Sequence, residues 1–131
     1  MKKAHKLFII LIFIISVVLF CYYNFNGIQI YKYDIIVGNH IGFNLDNDML
    51  HFGTVPKGEN SKRSVVIRNT GEKSKVRIKA FGEISDFIYA SDNNFILLPE
   101  ESKEITLYIY TNKSMQNKKY EGHILFILTK F

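Results

Sequence analysis

The sequence has little cysteine, since Cys21 is the only one among 131 residues. One cysteine makes no intramolecular disulfide, so a domain on the outer side of a membrane has to be held together by packing alone. Phe20, directly before it, is too large for the small residue expected before a lipidated cysteine. We therefore expect Cys21 to be an ordinary buried thiol, which behaves as a small hydrophobe.

Metal and catalytic motifs are also missing. The histidines His40, His51 and His123 are too scattered for a metal-ligand spacing, and no second cysteine is present to complete a zinc site. No serine lies in a Gly-x-Ser-x-Gly elbow. Residues 44–48, NLDND, lack the Gly and Glu of an EF-hand, so we expect a turn of solvated side chains. The sequence predicts a protein that is not an enzyme and has no metal, cofactor or small-molecule substrate.

Basic charge is concentrated at the amino end. Without its three leading lysines, the chain keeps 14 of its 17 Lys and Arg residues against 12 Asp and Glu, so the remainder is nearly balanced. Basic residues alternate along positions 73–79, but no aromatic side chain lies between them, which argues against single-stranded nucleic acid. This ladder is either a mild site for anionic headgroups or a sugar polymer, or simply the solvated face of one strand. We expect no nucleic-acid partner.

The first 23 residues predict a membrane segment. Residues 1–6, with three lysines, precede an apolar run from residue 7 to 23. Apolar side chains such as these favour insertion into a bilayer by about 5 kcal/mol in total. A helix of this length measures ~26 Å, slightly less than the ~30 Å hydrocarbon thickness that it has to cross. We expect a single transmembrane helix over 7–23, a connector over 24–27 and a domain over 28–131.

This segment is either an uncleaved anchor or a secretory signal peptide. The stretch LFCYYNFNG that follows its centre is bulky, whereas cleavage needs small residues, so we favour the anchor. Lysines before the helix and only Lys32 shortly after it predict a cytoplasmic amino end and an extracytoplasmic body. The expected location is the cell membrane, and a secreted form after cleavage is the alternative.

The body reads as short strands separated by Gly, Asn, Asp and Pro. The clearest is residues 75–80, where Val76, Ile78 and Ala80 alternate with basic residues. The final strand, GHILFILT, is apolar on both faces, so it is either a central strand or an exposed edge. Candidate strands are Ile28 to Val37, Ile41 to Leu45, Lys62 to Asn69, Lys75 to Phe81, Phe95 to Leu98, Glu104 to Tyr110 and Gly122 to Thr129.

Five segments of the body occur in a familiar order. They are VGNHIGFNLDNDMLHFGTVPKGE at 37–59, SVVIRNTGEK at 64–73, GEISDFIYASDNNFIL at 82–97, LLPEESKEITLYI at 97–109 and YEGHILF at 120–126. Together they resemble the immunoglobulin-like β-sandwich domain of archaeal and bacterial cell-surface proteins, which is related in architecture to pilus-chaperone and sperm-protein domains. Glu100 stands where that pattern has Gly. The resemblance implies an all-β antiparallel sandwich of about seven strands and a structural or interaction role, because this family shares no active site.

These observations predict a membrane-anchored, non-enzymatic module of the cell envelope that contacts another envelope protein. Tyrosines at alternate strand positions mark a possible partner face, namely Tyr31, Tyr33, Tyr108 and Tyr110. Asn112 begins an Asn-Lys-Ser sequence and is a possible glycosylation site. Tyr120 is expected to bond back to the preceding loop as a tyrosine corner. Two alternatives come from other classes: an assembly chaperone that acts by strand addition, and an enzyme with a site on the loops.

Overall fold

A computed structural model describes residues 2–42 and 49–131 of the chain. Within these two ranges, one helix precedes eight strands. The elements are α1 (Lys2–Asn24), β1 (Phe25–Val37), β2 (Leu50–Val55), β3 (Asn60–Arg68), β4 (Ser74–Gly82), a short 3-10 turn (Ser85–Phe87), β5 (Ile88–Ala90), β6 (Phe95–Leu97), β7 (Ser102–Tyr110) and β8 (Lys119–Lys130). The acidic turn expected over residues 44–48 falls outside the described residues.

Helix α1 is long and apolar enough to cross a membrane. Its side chains are exposed along its length, because the body contacts only its carboxyl end. Cys21 is therefore exposed, and the expectation of a buried thiol is wrong. The Asn24 amide donates to the Phe20 carbonyl at 2.8 Å and closes the last turn. Strand β1 begins at Phe25, inside the segment where we expected a connector.

The body consists of two sheets. Five strands form one sheet in the order β2-β1-β8-β4-β6, and three form the other in the order β3-β7-β5. This confirms a mostly β body behind one apolar helix. The described residues form eight strands rather than about seven, since β2 and β5 were not predicted. The strand expected at Ile41 to Leu45 is reduced, in its described part, to a single bridge between Gly42 and Thr54.

The sheets are not wholly antiparallel, which corrects the prediction. Strands β1 and β2 run parallel, with Tyr33 opposite Leu50 and Val37 opposite Val55. A parallel pair needs a crossover of about a dozen residues, because the chain must return to the end from which it started. The twelve positions between Val37 and Leu50 provide that length.

Strand β8 is central, paired with β1 on one side and β4 on the other. Its inward residues, including Ile124 and Phe126, are fully buried. Its outward residues Leu125 and Ile127 are only partly covered. One apolar face of β8 therefore packs in the core, and the other is partly exposed on the outer side of the sheet.

Alternation explains the core between the sheets. In β4, Val76 is buried whereas Arg77 and Lys79 are exposed, as predicted. The residues with the lowest exposure come from both sheets and include Tyr33, Ile35, Phe52, Ile67, Val76, Leu97, Ile105, Leu107, Ile109, Ile124 and Phe126. Because no disulfide is present among the described residues, this apolar contact is the main interaction between the two layers.

Two features of the resemblance have physical explanations in the structure. Glu100 adopts a left-handed φ of 62°, which is the conformation that favours the Gly of the pattern, and its carboxylate pairs with Arg68 at 2.6 Å. The Tyr120 hydroxyl exchanges hydrogen bonds with the backbone of Gln116, at 3.1 Å in both directions. The predicted tyrosine corner is therefore confirmed.

Candidate interaction surface

Three tyrosines cluster on the outer face of the three-stranded sheet. Along β7 the aliphatic residues point inward, so Tyr108 and Tyr110 point outward. Strand β5 places Tyr89 directly opposite Tyr108. The ring centroids of Tyr89 and Tyr110 are 5.6 Å apart in an edge-to-face arrangement, and those of Tyr108 and Tyr110 are 6.5 Å apart at 26°. We call these three residues the tyrosine surface.

The tyrosine surface is open to solvent. Tyr89 is 54% exposed, Tyr110 is 45% exposed and Tyr108 is half-buried. Polar residues of β3 lie beside it in register, with Lys62 opposite Tyr108 and Asn60 opposite Tyr110. Such a surface combines rigid apolar rings with hydroxyl groups that tolerate water. This composition is typical of the centre of protein interfaces with a polar rim.

A groove with a volume of about 500 Å³ opens beside Tyr108, between β2 and β3. Side chains of β3 close its floor by bonding to backbone carbonyls of β2. The Ser61 hydroxyl donates to the Phe52 carbonyl at 2.7 Å, and the Arg63 guanidinium donates to the His51 carbonyl at 2.5 Å. These bonds join the edges of the two sheets.

The other two tyrosines of the predicted face, Tyr31 and Tyr33, lie on β1 in the opposite sheet and point into the core. Tyr33 is 1% exposed, packs edge-to-face on Phe52, and donates to the Phe81 carbonyl at 3.2 Å. Burial, with a smaller contribution from the charge of Glu83, raises the pKa of Tyr33 to about 12. Tyr31 is half-buried against Phe126. The four predicted tyrosines therefore do not share one surface.

Tyr89 is the member of the surface that sequence reasoning missed. It lies in the three-residue strand Ile88–Ala90, where both neighbours of Tyr89 are half-buried while Tyr89 itself is exposed. A run of three residues is too short for alternation to be recognised. Pairing with β7 is what makes Tyr89 and Tyr110 neighbours.

A cluster of polar side chains, buried at Asp34 and His51 and also missed, connects three strands of the larger sheet. The Asp34 carboxylate contacts His51 Nδ1 at 2.7 Å and the Lys119 ammonium at 3.1 Å. The side chains of Asp34 and His51 are 10% and 7% exposed. These residues come from β1, β2 and β8, so the cluster stabilises the parallel pairing of β2. Sequence analysis did not identify this cluster because its three residues are far apart along the chain.

Asn112 lies in the loop between β7 and β8. Its side-chain oxygen accepts hydrogen bonds from the Ser114 backbone at 2.8 Å, the Ser114 hydroxyl at 2.6 Å and the Met115 backbone at 3.1 Å. The amide and the hydroxyl of the Asn-Lys-Ser sequence are therefore held together in a tight turn. Glycosylation at Asn112 stays a prediction.

No protein-family model and no curated protein matches this chain. Among solved structures, the crystal structure of an antigen and type I fimbria protein from Burkholderia pseudomallei aligns with 79% of this chain and 97% of its own length. The sequence identity is 13% and the TM-score is 0.32. A similarity at this level carries no argument about fold or function.

Proposed function

We propose that the chain is a membrane-anchored, non-enzymatic interaction module of the cell envelope. The observation that carries this proposal is the direct junction of an exposed apolar helix with a packed β body. Helix α1 ends at Asn24 and β1 begins at Phe25. An apolar helix with no protein covering it needs lipid around it. A cleaved, secreted form remains the alternative, and the sequence of the mature amino terminus distinguishes the two.

The orientation rests on charge. Lys2, Lys3 and Lys6 precede the apolar run, so the amino end stays in the cytoplasm and the body lies outside. We further propose that the body is a variant of the immunoglobulin-like sandwich. Its two facing sheets and the tyrosine corner at Tyr120 support this assignment. The parallel pairing of β1 with β2 is a departure from that architecture.

Ion-pair partners shift the pKa values of three groups on the body. Hydrogen bonding from Lys103 lowers the pKa of Asp92, and hydrogen bonding to Glu83 raises the pKa of Lys118. Contacts with Glu121 and then Asp34 raise the pKa of Lys119. Asp92 and Lys118 each pair with one exposed partner, whereas Lys119 contacts the exposed Glu121 and the buried Asp34.

The partner that we propose is another envelope protein, bound at the tyrosine surface. Tyr89, Tyr108 and Tyr110 offer a contiguous aromatic area that the body itself leaves uncovered. Strand addition by the final strand has less support. Both edges of β8 are already hydrogen-bonded to neighbouring strands, so β8 has no free edge that could pair with another protein.

Site-specific photo-crosslinking in intact cells tests this proposal. A photo-reactive residue at Tyr89 or Tyr110 should give a discrete adduct with one envelope protein, whereas the same residue at Arg77, on the other sheet, should not. External protease should remove the body from intact cells. Adducts of equal yield from both faces, or a body protected from external protease, would contradict the proposal.

A further inference from the structure

The outer face of the five-stranded sheet differs from an ordinary solvated face. In the pairing register of β1, β8 and β4, outward residues form successive rows across the sheet. From the helix outward these rows are Phe25, Thr129 and Lys75; then Ile28, Ile127 and Arg77; then Ile30, Leu125 and Lys79; then Lys32, His123 and Phe81. We call these twelve residues the amphiphilic face. It contains four basic residues, several large apolar residues and no acidic residue. The acidic pair that follows on this side of β1 and β8, Asp34 and Glu121, is contacted by Lys119.

Its apolar half is uncovered. Ile28 is 52% exposed, Ile30 is 61% exposed and Phe81 is 51% exposed. On β1 and β4 these side chains lie on the face opposite Tyr31 and Ala80, which pack against the core, so the fold places them outside whatever their hydrophobicity. A contiguous exposed apolar area beside charged residues marks a contact surface.

The positive charges of this face have no carboxylate partners among the described residues. Arg77 and Lys79 are exposed on β4, with Lys75 half-buried in the same column and Lys32 exposed on β1. Within the described residues, none of the four forms an ion pair with a carboxylate, whereas Lys103, Lys118 and Lys119 elsewhere on the body all do. The complement of this face is therefore negative and partly apolar. A second copy of the same face would bring like charges together, which opposes self-association.

Helix α1 connects the amphiphilic face to a lipid bilayer, whose surface is partly apolar and can carry negative charge. Phe25, in the first row, directly follows the last residue of α1. At the same end of the sheet, the Lys130 ammonium lies 5.3 Å from the centroid of the Tyr22 ring, so the end of β8 also lies against the last turn of the helix. A bilayer that holds α1 is thus next to the first row of the amphiphilic face, and a tethered contact by the remaining rows needs little intrinsic affinity.

We propose that the amphiphilic face rests on the surface of the bilayer and binds anionic lipid headgroups through Lys75, Arg77 and Lys79, with Ile28 and Ile30 inserted at the interface. This inference rests on the proposed anchoring of α1. Contact with the membrane on this face leaves the tyrosine surface, on the opposite sheet, turned toward other proteins.

Spin labels on the full chain in lipid nanodiscs test the contact. In a Cys21→Ser background, Phe13→Cys reports on the anchor, Ile30→Cys on the amphiphilic face and Ser64→Cys on the outer face of the other sheet. Ile28→Cys repeats the Ile30 measurement at a second position. Accessibility of each label to a water-soluble relaxation agent is compared in nanodiscs with and without anionic lipid.

We expect the Ile30 label to be protected severalfold in anionic nanodiscs and exposed in neutral ones, with Ser64 exposed in both. Each basic residue near an anionic surface favours contact by about fivefold, so replacing Lys75, Arg77 and Lys79 by Gln should weaken contact by about a hundredfold. The matched control replaces Lys57, Lys62 and Lys113 by Gln and should leave the Ile30 label protected.

Different outcomes overturn different statements. An Ile30 label as accessible as Ser64 in anionic nanodiscs, with Phe13 inside lipid, overturns the contact and leaves the anchor intact. Equal protection in neutral nanodiscs, or after the triple Gln change, overturns binding to anionic headgroups. A Phe13 label open to water overturns the anchor itself, and the contact that depends on it.

Discussion

Two strands of this protein carry tyrosines at alternate positions, and these tyrosines are buried on one strand and exposed on the other. On β1, Tyr31 and Tyr33 point into the core, whereas on β7, Tyr108 and Tyr110 point to solvent. Alternation determines which residues share a face, but the competition between the two faces determines which one is buried. On β7 the opposite face is Ile105, Leu107 and Ile109, which excludes the tyrosines from the interior. On β1 the tyrosines belong to the face that continues into Ile35 and Val37.

The strongest test of this contrast removes one ring from each strand. Tyr33→Ala should lower the free energy of unfolding by about 3 to 5 kcal/mol, because it empties a fully buried aromatic site against Phe52. Tyr110→Ala should change it by less than about 0.5 kcal/mol, since the ring is exposed. Urea titration of each chain in mild detergent, followed by circular dichroism of the β body, measures both values. Equal losses at the two positions would refute the contrast.

Alkaline titration sharpens the comparison. The unfolded chain deprotonates Tyr33 near pH 10, whereas the folded chain holds the proton until about pH 12. Because the folded pKa is raised, this contribution to stability is complete below pH 10 and is lost as the pH rises through 12. Relative to Tyr33→Phe, the native chain should lose about 1 to 2 kcal/mol over this window, after allowance for partial solvent screening.

A matched comparison with Tyr110→Phe controls for general alkaline unfolding. Tyr110 is 45% exposed, so its replacement leaves the core of the body intact. Identical pH profiles for the native chain and Tyr33→Phe would show that the Tyr33 hydroxyl does not keep its proton in the folded state.

The smallest effect comes from a third tyrosine environment, the corner at Tyr120. Tyr120→Phe keeps the buried ring and removes the two hydrogen bonds with Gln116, so the free energy of unfolding should fall by about 1 kcal/mol. Tyr89→Phe, at an exposed ring, is the control and should be neutral. The same urea titration measures both, and a neutral Tyr120→Phe would show that the ring alone fixes this loop.

Much of the fold follows from local pattern. The alternation of Val76, Ile78 and Ala80 with basic residues identified β4 and its inner face. The apolar run of the last strand indicated a central position as one of two options, and β8 occupies it. Strand β2 was missed because Gly53, with φ of 79°, and a buried histidine interrupt its apolar character. Its order comes from parallel pairing with β1 and from the contact between His51 and Asp34, which lie 17 positions apart.

The candidate site was less accessible from sequence than the fold. Two of its members, Tyr108 and Tyr110, were identified correctly as outward residues of one strand, but Tyr89 joins them only through the pairing of β5 with β7. Likewise, the basic column of β4 was visible in sequence, whereas its apolar neighbours Ile28 and Ile30 belong to a strand that is about fifty residues away along the chain. Strand order, which no local pattern encodes, creates both surfaces.

The sequence alone determined the apolar helix and the two-residue periodicity of most strands, because these properties depend on neighbours within a few positions. Tertiary structure alone decided which face of each strand is covered, which strands adjoin, and therefore where aromatic and basic side chains gather. The physical reason is that burial is a competition among distant segments for one core. A tyrosine is buried or exposed according to whether other residues of the chain fill the core better than it does.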